Sequence, residues 1–322
     1  MKKSLVIWLA IGLSLVFIGL LAFGAAFMMG GFDFKELSLQ KYVTNTYDIE
    51  FDFEKISIKT IDSDITFIKS DTDKCRVVFL ENKKVRHSAV VKDGELMIES
   101  MDERKWYDYI SLFDFENETI KLYLPKNIYD SLVIKTTTGD INISKNFAFN
   151  TVSITGSTAD VEFSASSIGL TEIKLTTGDI EMENAAFGDL RLTVSTGDIE
   201  VDGVECKGDI YIKVSTGETE LDRIACKNFT SEGTTGDIEL SSVIASEKLD
   251  VRRSTGDIRF RRCDASEVYA KTATGDITGS LLSEKIFITE SSTGSVRVPN
   301  SVSGGRCEIK TSTGDIRIEI AK

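Results

Sequence analysis

Ten acidic residues that recur at a fixed spacing are the side chains of this sequence best suited to chemistry. They form two columns, because five successive copies of a 19–20-residue repeat each carry an acid and then, two residues later, a Glu. We call this set the acidic stripe: Asp160, Glu162, Asp179, Glu181, Asp198, Glu200, Glu218, Glu220, Asp237 and Glu239. If the copies stack, like charges lie about 4.8 Å apart and repel by roughly 1 kcal/mol per neighbour. The stripe therefore predicts weak binding of a divalent cation such as Ca²⁺, which takes about six to eight oxygen ligands.

A solvated acidic face balanced by nearby cations is the simpler interpretation of the same pattern. A basic residue recurs four positions before the repeat glycine, across the corner from the stripe. These residues are Lys135, Lys174, Lys213, Arg252, Lys271 and Lys310. If they do not neutralise the stripe, a divalent cation or a cationic partner is expected to do so.

Other catalytic chemistry is sparse in the sequence. It has one histidine, His87, which stands in a polar run and is expected to be solvated. Motifs for zinc proteases, serine hydrolases, paired-cysteine sites and phosphate loops are absent from the sequence. We therefore predict no catalytic residue and no cofactor beyond weakly bound Ca²⁺. A glycan-cleaving β-helix enzyme is the alternative, although a catalytic site needs one repeat to differ from its neighbours.

The acids are positioned by a repeated tetrapeptide, Thr-Gly-Asp-Ile, which occurs seven times unchanged and three times in degenerate form. Glycine can supply the positive φ that a sharp corner needs, and the Asp carboxylate can accept backbone N–H groups. The corner glycines are Gly139, Gly178, Gly197, Gly217, Gly236, Gly256, Gly275, Gly294 and Gly314, and Ala159 replaces the glycine in one copy.

Apolar residues alternate with period two on both sides of each corner, as in Ile199/Val201 and Ile210/Ile212. This is the pattern of strands with one buried face. A short repeat that buries its apolar face only by stacking predicts a solenoid. We therefore expect an all-β fold, a parallel β-solenoid of about ten coils, right-handed as parallel crossovers are. An antiparallel meander of two-residue hairpins is the structural alternative.

The first part of the chain predicts a membrane anchor. Residues 4–31 are uncharged and rich in Leu, Ile, Phe and Ala, and they are long enough to span a bilayer. Lys2 and Lys3 favour a cytoplasmic N-terminus by the positive-inside rule. A cleaved signal peptide is the alternative, given the small residues at 24–26.

The expected domains are 1–31 (cytoplasmic stub and anchor), 32–50 (stalk), 51–130 (irregular β cap) and 131–322 (regular solenoid).

The irregular region 51–130 has two further features. Ser63-Asp64-Ile65 resembles a worn corner and precedes Gly139 by four repeat lengths, which suggests earlier coils. Residues 104–116 form an aromatic insertion that could cap the first coil or act as a binding loop.

Charge and cysteine content limit the partners. A formal net charge of −13 argues against nucleic acid and against docking on anionic lipid through a basic face. The five cysteines are Cys75, Cys206, Cys226, Cys263 and Cys307. Cys206 and Cys226 would stack in successive coils, so a bridge is conceivable, but buried free thiols are the favoured interpretation.

The repeated corner, the strand Glu118–Pro125 and the run Gly94–Ile98 together resemble the bacterial putative adhesin family, over about residues 50–322. The resemblance implies an envelope-exposed β-solenoid of poorly defined activity, in a single-pass membrane protein or an exported one, in some cases beside envelope-stress signalling systems. The expected function is non-enzymatic binding or scaffolding. The partner would be an envelope glycan, a protein or a membrane kinase, the last if the chain is an accessory sensor of envelope stress.

Overall fold

The computed structural model describes residues 12–19, 21, 42–82, 84–104 and 118–321. The chain divides into two units, and residues 12–21 belong to a different one from the β region. Residues 12–19 and 21 are helical. Among the described residues, no helix has the length and apolar character needed to cross a membrane. Most of the predicted anchor, and the aromatic insertion after Arg104, lie outside the described residues.

The described residues of the β region form 27 strands. The first seven are β1 Tyr42–Ile49, β2 Lys55–Lys59, β3 Ser63–Lys69, β4 Cys75–Asn82, β5 Val85–Lys92, β6 Glu95–Asp102 and β7 Glu118–Leu124. The next twelve are β8 Ile128–Thr138, β9 Ile141–Ile143, β10 Ala148–Thr158, β11 Val161–Phe163, β12 Ser166–Ser167, β13 Leu170–Thr177, β14 Ile180–Glu183, β15 Ala186–Phe187, β16 Asp189–Thr196, β17 Ile199–Asp202, β18 Glu205–Cys206 and β19 Asp209–Thr216. The last eight are β20 Thr219–Thr235, β21 Ile238–Thr255, β22 Ile258–Thr274, β23 Ile277–Leu281, β24 Lys285–Thr293, β25 Val296–Arg297, β26 Gly305–Thr313 and β27 Ile316–Ile320.

The predicted parallel solenoid is confirmed by the strand register. Val161 lies beside Ile141 on one side and Ile180 on the other, and both pairs are parallel. A typical coil has a long strand before the corner, a short strand after it and a third very short strand, as in β13, β14 and β15. The antiparallel meander is therefore excluded for the regular array.

The core is a set of apolar columns that run along the stack. Ile173, Leu192 and Ile212 are directly aligned on successive coils and are completely buried. Ile180 and Ile199 form a second column after the corner and are 1% exposed. Each such side chain contributes about 1.5–3 kcal/mol through burial, but only when its neighbours on both sides are in place.

Glycine is required at the corners for two reasons. Gly236 has a φ of 124°, and a Cβ placed there would lie 1.9 Å from the carbonyl oxygen of Gly217 in the adjacent coil. The other eight corner glycines also have positive φ. A side chain would therefore strain the backbone and also separate neighbouring coils.

A second corner, six residues after the glycine, was not predicted. Five successive coils place a residue in the left-handed region here, with φ between 50° and 63°. These residues are Asn184, Gly203, Arg223, Ser242 and Arg262. They share no side-chain type, so the sequence carries no repeated signal for this bend.

At the start of the array, chain order and spatial order differ. Strands β2 and β3 pair in parallel with β8 and β9, so the worn corner at Ser63 stacks directly on the corner at Gly139. On their other side β2 and β3 pair in parallel with β6 and β7. The residues between Ser63 and Gly139 thus do not form four coils between these two corners. They include β6 and β7, which stack on the other side of β2 and β3, and the antiparallel strands β4 and β5.

This end of the stack is covered by antiparallel strands. Strand β4 pairs with β7, β1 pairs with β4, and β5 pairs with β6, all antiparallel. We call β1, β4 and β5 the antiparallel cap. The predicted stalk is described only from residue 42, where β1 begins.

Chain order and spatial order also differ at the opposite end. Strand β22 pairs with β26 and β23 with β27, while β24 and β25 pair with β26 and β27 from the other side. The coil that contains Gly294 therefore lies outside the coil that contains Gly314, although it comes first in the sequence. We call β24 and β25 the end coil.

All five cysteines are buried and free, which confirms the favoured prediction. Burial raises the pKa of Cys206 to about 11 and that of Cys226 to about 12. Both thiols are therefore protonated and unreactive at neutral pH.

Candidate functional site

The acidic stripe lies along one outer edge of the stack, and its first column has a structural role. The carboxylate of Asp179 accepts the backbone N–H of Asp198 in the next coil at 2.7 Å, and Asp198 accepts that of Glu218 at 2.6 Å. The same bond links Asp160 to the N–H of Asp179 at 2.9 Å. The Asp after each corner glycine is thus explained by a bond between coils, with no ligand required.

The second column consists of glutamates that turn outward. Glu162, Glu181, Glu200 and Glu220 are exposed, and Glu181, Glu200 and Glu220 have no ion pair within the part of the chain that the structure describes. Partial burial, and then repulsion from Glu200 and Glu162, raises the pKa of Glu181 above its ordinary value. This column carries unbalanced negative charge.

Three of the six basic residues before the corner form ion pairs with acids outside the stripe. Lys174 contacts Glu172 at 2.9 Å and Lys310 contacts Glu308 at 2.9 Å, in both cases two residues along the same strand. Arg252 contacts Asp250 at 2.9 Å in the same way. These three bases therefore neutralise acids on their own face of the strand, and they do not neutralise the carboxylates of the acidic stripe.

The stripe ends where arginines neutralise it. Arg259 contacts Asp237 at 2.8 Å and Asp257 at 2.7 Å, and Arg261 contacts Glu239 at 2.9 Å. A shallow cleft of about 310 Å³ lies beside this junction and is lined by Glu200, Glu220, Glu239 and Arg261 among others.

The stripe does not assemble a compact metal site. Within the described ranges, no three His, Cys, Asp or Glu side chains converge closely enough to hold a metal ion. Weak binding of Ca²⁺ along the stripe stays a prediction, for which the candidate ligands are the outward glutamates.

The prediction for His87 was wrong. Its residue is 3% exposed, its ring stacks on Phe79 with centroids 4.9 Å apart, and its Nδ1 lies 3.1 Å from Glu81 Oε2. Its Nε2 lies 2.9 Å from Ser63 Oγ, which also accepts a bond from Thr60 Oγ1 at 3.0 Å. Strand alternation in β5 directs His87 inward beside Val85, although its sequence neighbours Arg86 and Ser88 are polar.

These contacts give the Ser63–His87–Glu81 cluster the connectivity of a nucleophile, base and acid. A cavity of about 600 Å³ reaches Glu81 and His87. Ser63, however, is 0% exposed, so its hydroxyl cannot meet a substrate in this conformation. Burial lowers the pKa of His87, which is therefore neutral at pH 7. The cluster satisfies polar groups where the cap joins the worn corner.

A protein-family model described as Toastrack DUF4097 matches residues 53–213 and 208–320, which is nearly the whole β region. The chain belongs to the Toastrack family. No curated protein sequence matches this Toastrack chain.

Several solved structures are similar to this Toastrack chain. A "putative adhesin" of Bacteroides fragilis is 16% identical, with 87% of this chain and 97% of that chain covered and a TM-score of 0.44. A "putative adhesin" of Parabacteroides distasonis is 11% identical, with 86% and 97% covered and a TM-score of 0.46. A "putative lipid binding protein" of the same species is 14% identical, with 86% and 97% covered and a TM-score of 0.43.

Proposed function

We propose that this Toastrack chain is a non-enzymatic binding or scaffolding protein of the bacterial cell envelope, anchored in the membrane through residues 4–31. The observation that carries the proposal is the regular outer face of the stack. Successive coils present equivalent side chains, such as Glu181, Glu200 and Glu220, in direct register. A surface that repeats about every 4.8 Å suits an extended ligand with its own repeat, such as an envelope glycan.

Two sequence features support the location. The uncharged segment 4–31 is long enough for a bilayer, and Lys2 and Lys3 precede it. The β region would then lie outside the cytoplasm, where its outer face meets the envelope.

Cysteine labelling in intact cells tests the location directly. All five native cysteines are buried, so a membrane-impermeant maleimide should label the parent chain very little. An Ile168→Cys variant places a thiol at a side chain that is 74% exposed, and we expect it to be labelled in intact cells. A Lys2→Cys variant is the matched control and should be labelled only after lysis. Equal labelling of both variants before lysis would contradict the proposed topology.

Co-sedimentation with purified cell-wall glycan tests the binding role. We expect the parent chain to sediment with the glycan and a Glu181→Gln/Glu200→Gln/Glu220→Gln variant to sediment less. Release of reducing ends from the glycan by the parent chain would instead support an enzyme.

A further inference from the structure

The end coil is incomplete as a surface. Its strands β24 and β25 pair with β26 and β27 on one side only, and no described strand pairs with them on the other. Val296 occupies the column in which Ile277 and Ile316 are completely buried, yet it is 45% exposed. Residues of a core column are therefore open to solvent at this end of the stack.

The outer face of the end coil is apolar as well. The residues aligned with Ile288 and Ile286 on the neighbouring coil are Glu308 and Arg306. On the coil beyond, Glu308 is aligned with Tyr269. The isoleucines are 43% and 47% exposed, respectively. Apolar side chains thus replace charged ones on the coil that, among the described strands, has a neighbour on one side only.

The hydrogen bonds from backbone N–H groups to Asp carboxylates of the adjacent coil form a series that we call the carboxylate ladder. This ladder also stops at the end coil. Ser295 donates its backbone N–H to Asp315 at 2.7 Å, as the Asp residues do elsewhere, but its own side chain carries no carboxylate for a further coil. The segment 282–304 holds two acids, Glu284 and Glu290, and two bases, Lys285 and Arg297. This end is neutral in a chain of net charge −13, so two copies can approach here without the repulsion that their sides would meet.

We propose that the end coil binds the end coil of a second copy of this chain. The opposite end of the stack is covered by the antiparallel cap, whose outermost strand β1 exposes Thr44, Thr46 and Asp48 as well as Val43 and Tyr47. Head-to-tail stacking would place Ile286 and Ile288 against this mixed strand, whereas pairing of two end coils places the isoleucines against each other. The arrangement that matches like surfaces is therefore tail-to-tail about a twofold axis, with β24 antiparallel to β24 of the second copy, which closes the open edges of both end coils.

This pairing brings Ile286 and Ile288 of the two copies together and covers Val296. One coil of about 20 residues reaches only the lower bound of a standard interface, which has about 20–30 residues a side. We therefore expect a weak dimer that forms reversibly, and not a permanent one.

Cross-linking of the full-length chain in membranes tests the proposal. In an Ile288→Cys variant, a bis-maleimide reagent that spans the about 7–8 Å between diagonal neighbours should give a product of twice the chain mass. The matched control is Ile244→Cys, at a strand residue that is 39% exposed on the side of the stack, and it should give none. Adding Ile286→Arg to Ile288→Cys should reduce the product at least tenfold.

Thermal melting of the Ile286→Arg variant shows whether it is folded, and we expect it to be, because Ile286 is half exposed. A cross-linked product of any other mass would overturn the proposal in favour of a different partner. Equal yields from the Ile288→Cys and Ile244→Cys variants, or a yield unaffected by Ile286→Arg, would also overturn it.

Discussion

The backbone N–H of Asp198 donates to the carboxylate of Asp179, one coil earlier, at 2.7 Å. This bond recurs along the stack, so the most repeated charged residue of the sequence joins each coil to the next. An Asp179→Ala change should lower the free energy of unfolding by about 1–3 kcal/mol, because a hydrogen bond to a charged group is lost. Asp179→Asn is the control, since its amide oxygen can still accept. Denaturant titration should show a clearly smaller loss for Asn than for Ala.

The ladder is interrupted at Glu218, which predicts a stabilising change. Glu218 is one methylene longer than Asp, and no bond from the Asp237 N–H to its side chain is found within the described ranges. A Glu218→Asp variant should complete the ladder and raise the free energy of unfolding by about 1 kcal/mol. A thermal midpoint equal to or below that of the parent chain would contradict this role of the carboxylates.

The two corner types should respond differently to alanine. In a Gly236→Ala variant the alanine would have to adopt a positive φ, and its Cβ would lie 1.9 Å from the carbonyl oxygen of Gly217. We therefore expect the free energy of unfolding to fall by about 3 kcal/mol or more. Gly203→Ala is the control, because its φ of 63° is allowed for other residues and the one close approach of its Cβ would be to the movable side-chain oxygen of Asn184, at 2.7 Å. A loss of about 1 kcal/mol is expected there. Circular dichroism melts of both variants measure the difference.

Ile199 tests the dependence of each coil on its neighbours. It is 1% exposed between Ile180 and Thr219, so Ile199→Asp leaves a carboxylate in the core column and should cost more than about 4 kcal/mol. Ile199→Val should cost only about 0.5–1.5 kcal/mol. Hydrogen exchange should show loss of protection across several coils in the Asp variant. Loss confined to one coil would argue against cooperative stacking.

The outward glutamates can be tested for cation binding by substitution. If they hold Ca²⁺ weakly, millimolar Ca²⁺ should raise the melting temperature of the parent chain more than that of the Glu181→Gln/Glu200→Gln/Glu220→Gln variant. Mg²⁺ at equal concentration controls for screening. An equal rise in both proteins would show that the stripe is only a solvated face.

His87 predicts a loss of stability in mild acid. Burial lowers its pKa from 6.5, so an unfolded chain takes up a proton more readily than the folded chain. The free energy of unfolding should therefore fall as pH decreases from about 6.5 toward the lowered pKa of the folded state. Denaturant midpoints at pH 7.5 and 5.5 measure this. A His87→Gln variant should lose less over that interval, and an equal loss would assign the effect to other groups.

The regular coils could be predicted because corner and core columns follow simple periods. Gly197, Asp198 and Ile199 each occupy a column with one required chemistry: a positive φ, a short acceptor and an apolar side chain. The bend at Ser242 could not be predicted, because its column accepts Asn, Gly, Arg or Ser at the cost of backbone strain.

The order of the coils could not be predicted either. Every coil carries nearly the same corner, so the periodicity does not say which coil is adjacent to which. The departure at Ser295 was visible as a degenerate copy, but only the structure shows that it marks the outermost coil. His87 was misjudged because its polar neighbours suggested solvent, whereas period-two alternation from Val85 would have placed it inside.

The exchanged order at both ends of the stack constrains the sequence of folding events. Among the described strands, β24 and β25 pair only with β26 and β27, which come later in the chain. During synthesis, residues 285–297 therefore have no strand to pair with until residues 305–320 have been made and inserted. Folding cannot proceed one coil at a time in the direction of translation. The final step is instead the joint addition of two coils, and an incomplete chain exposes the edge of β22 and β23 throughout that delay.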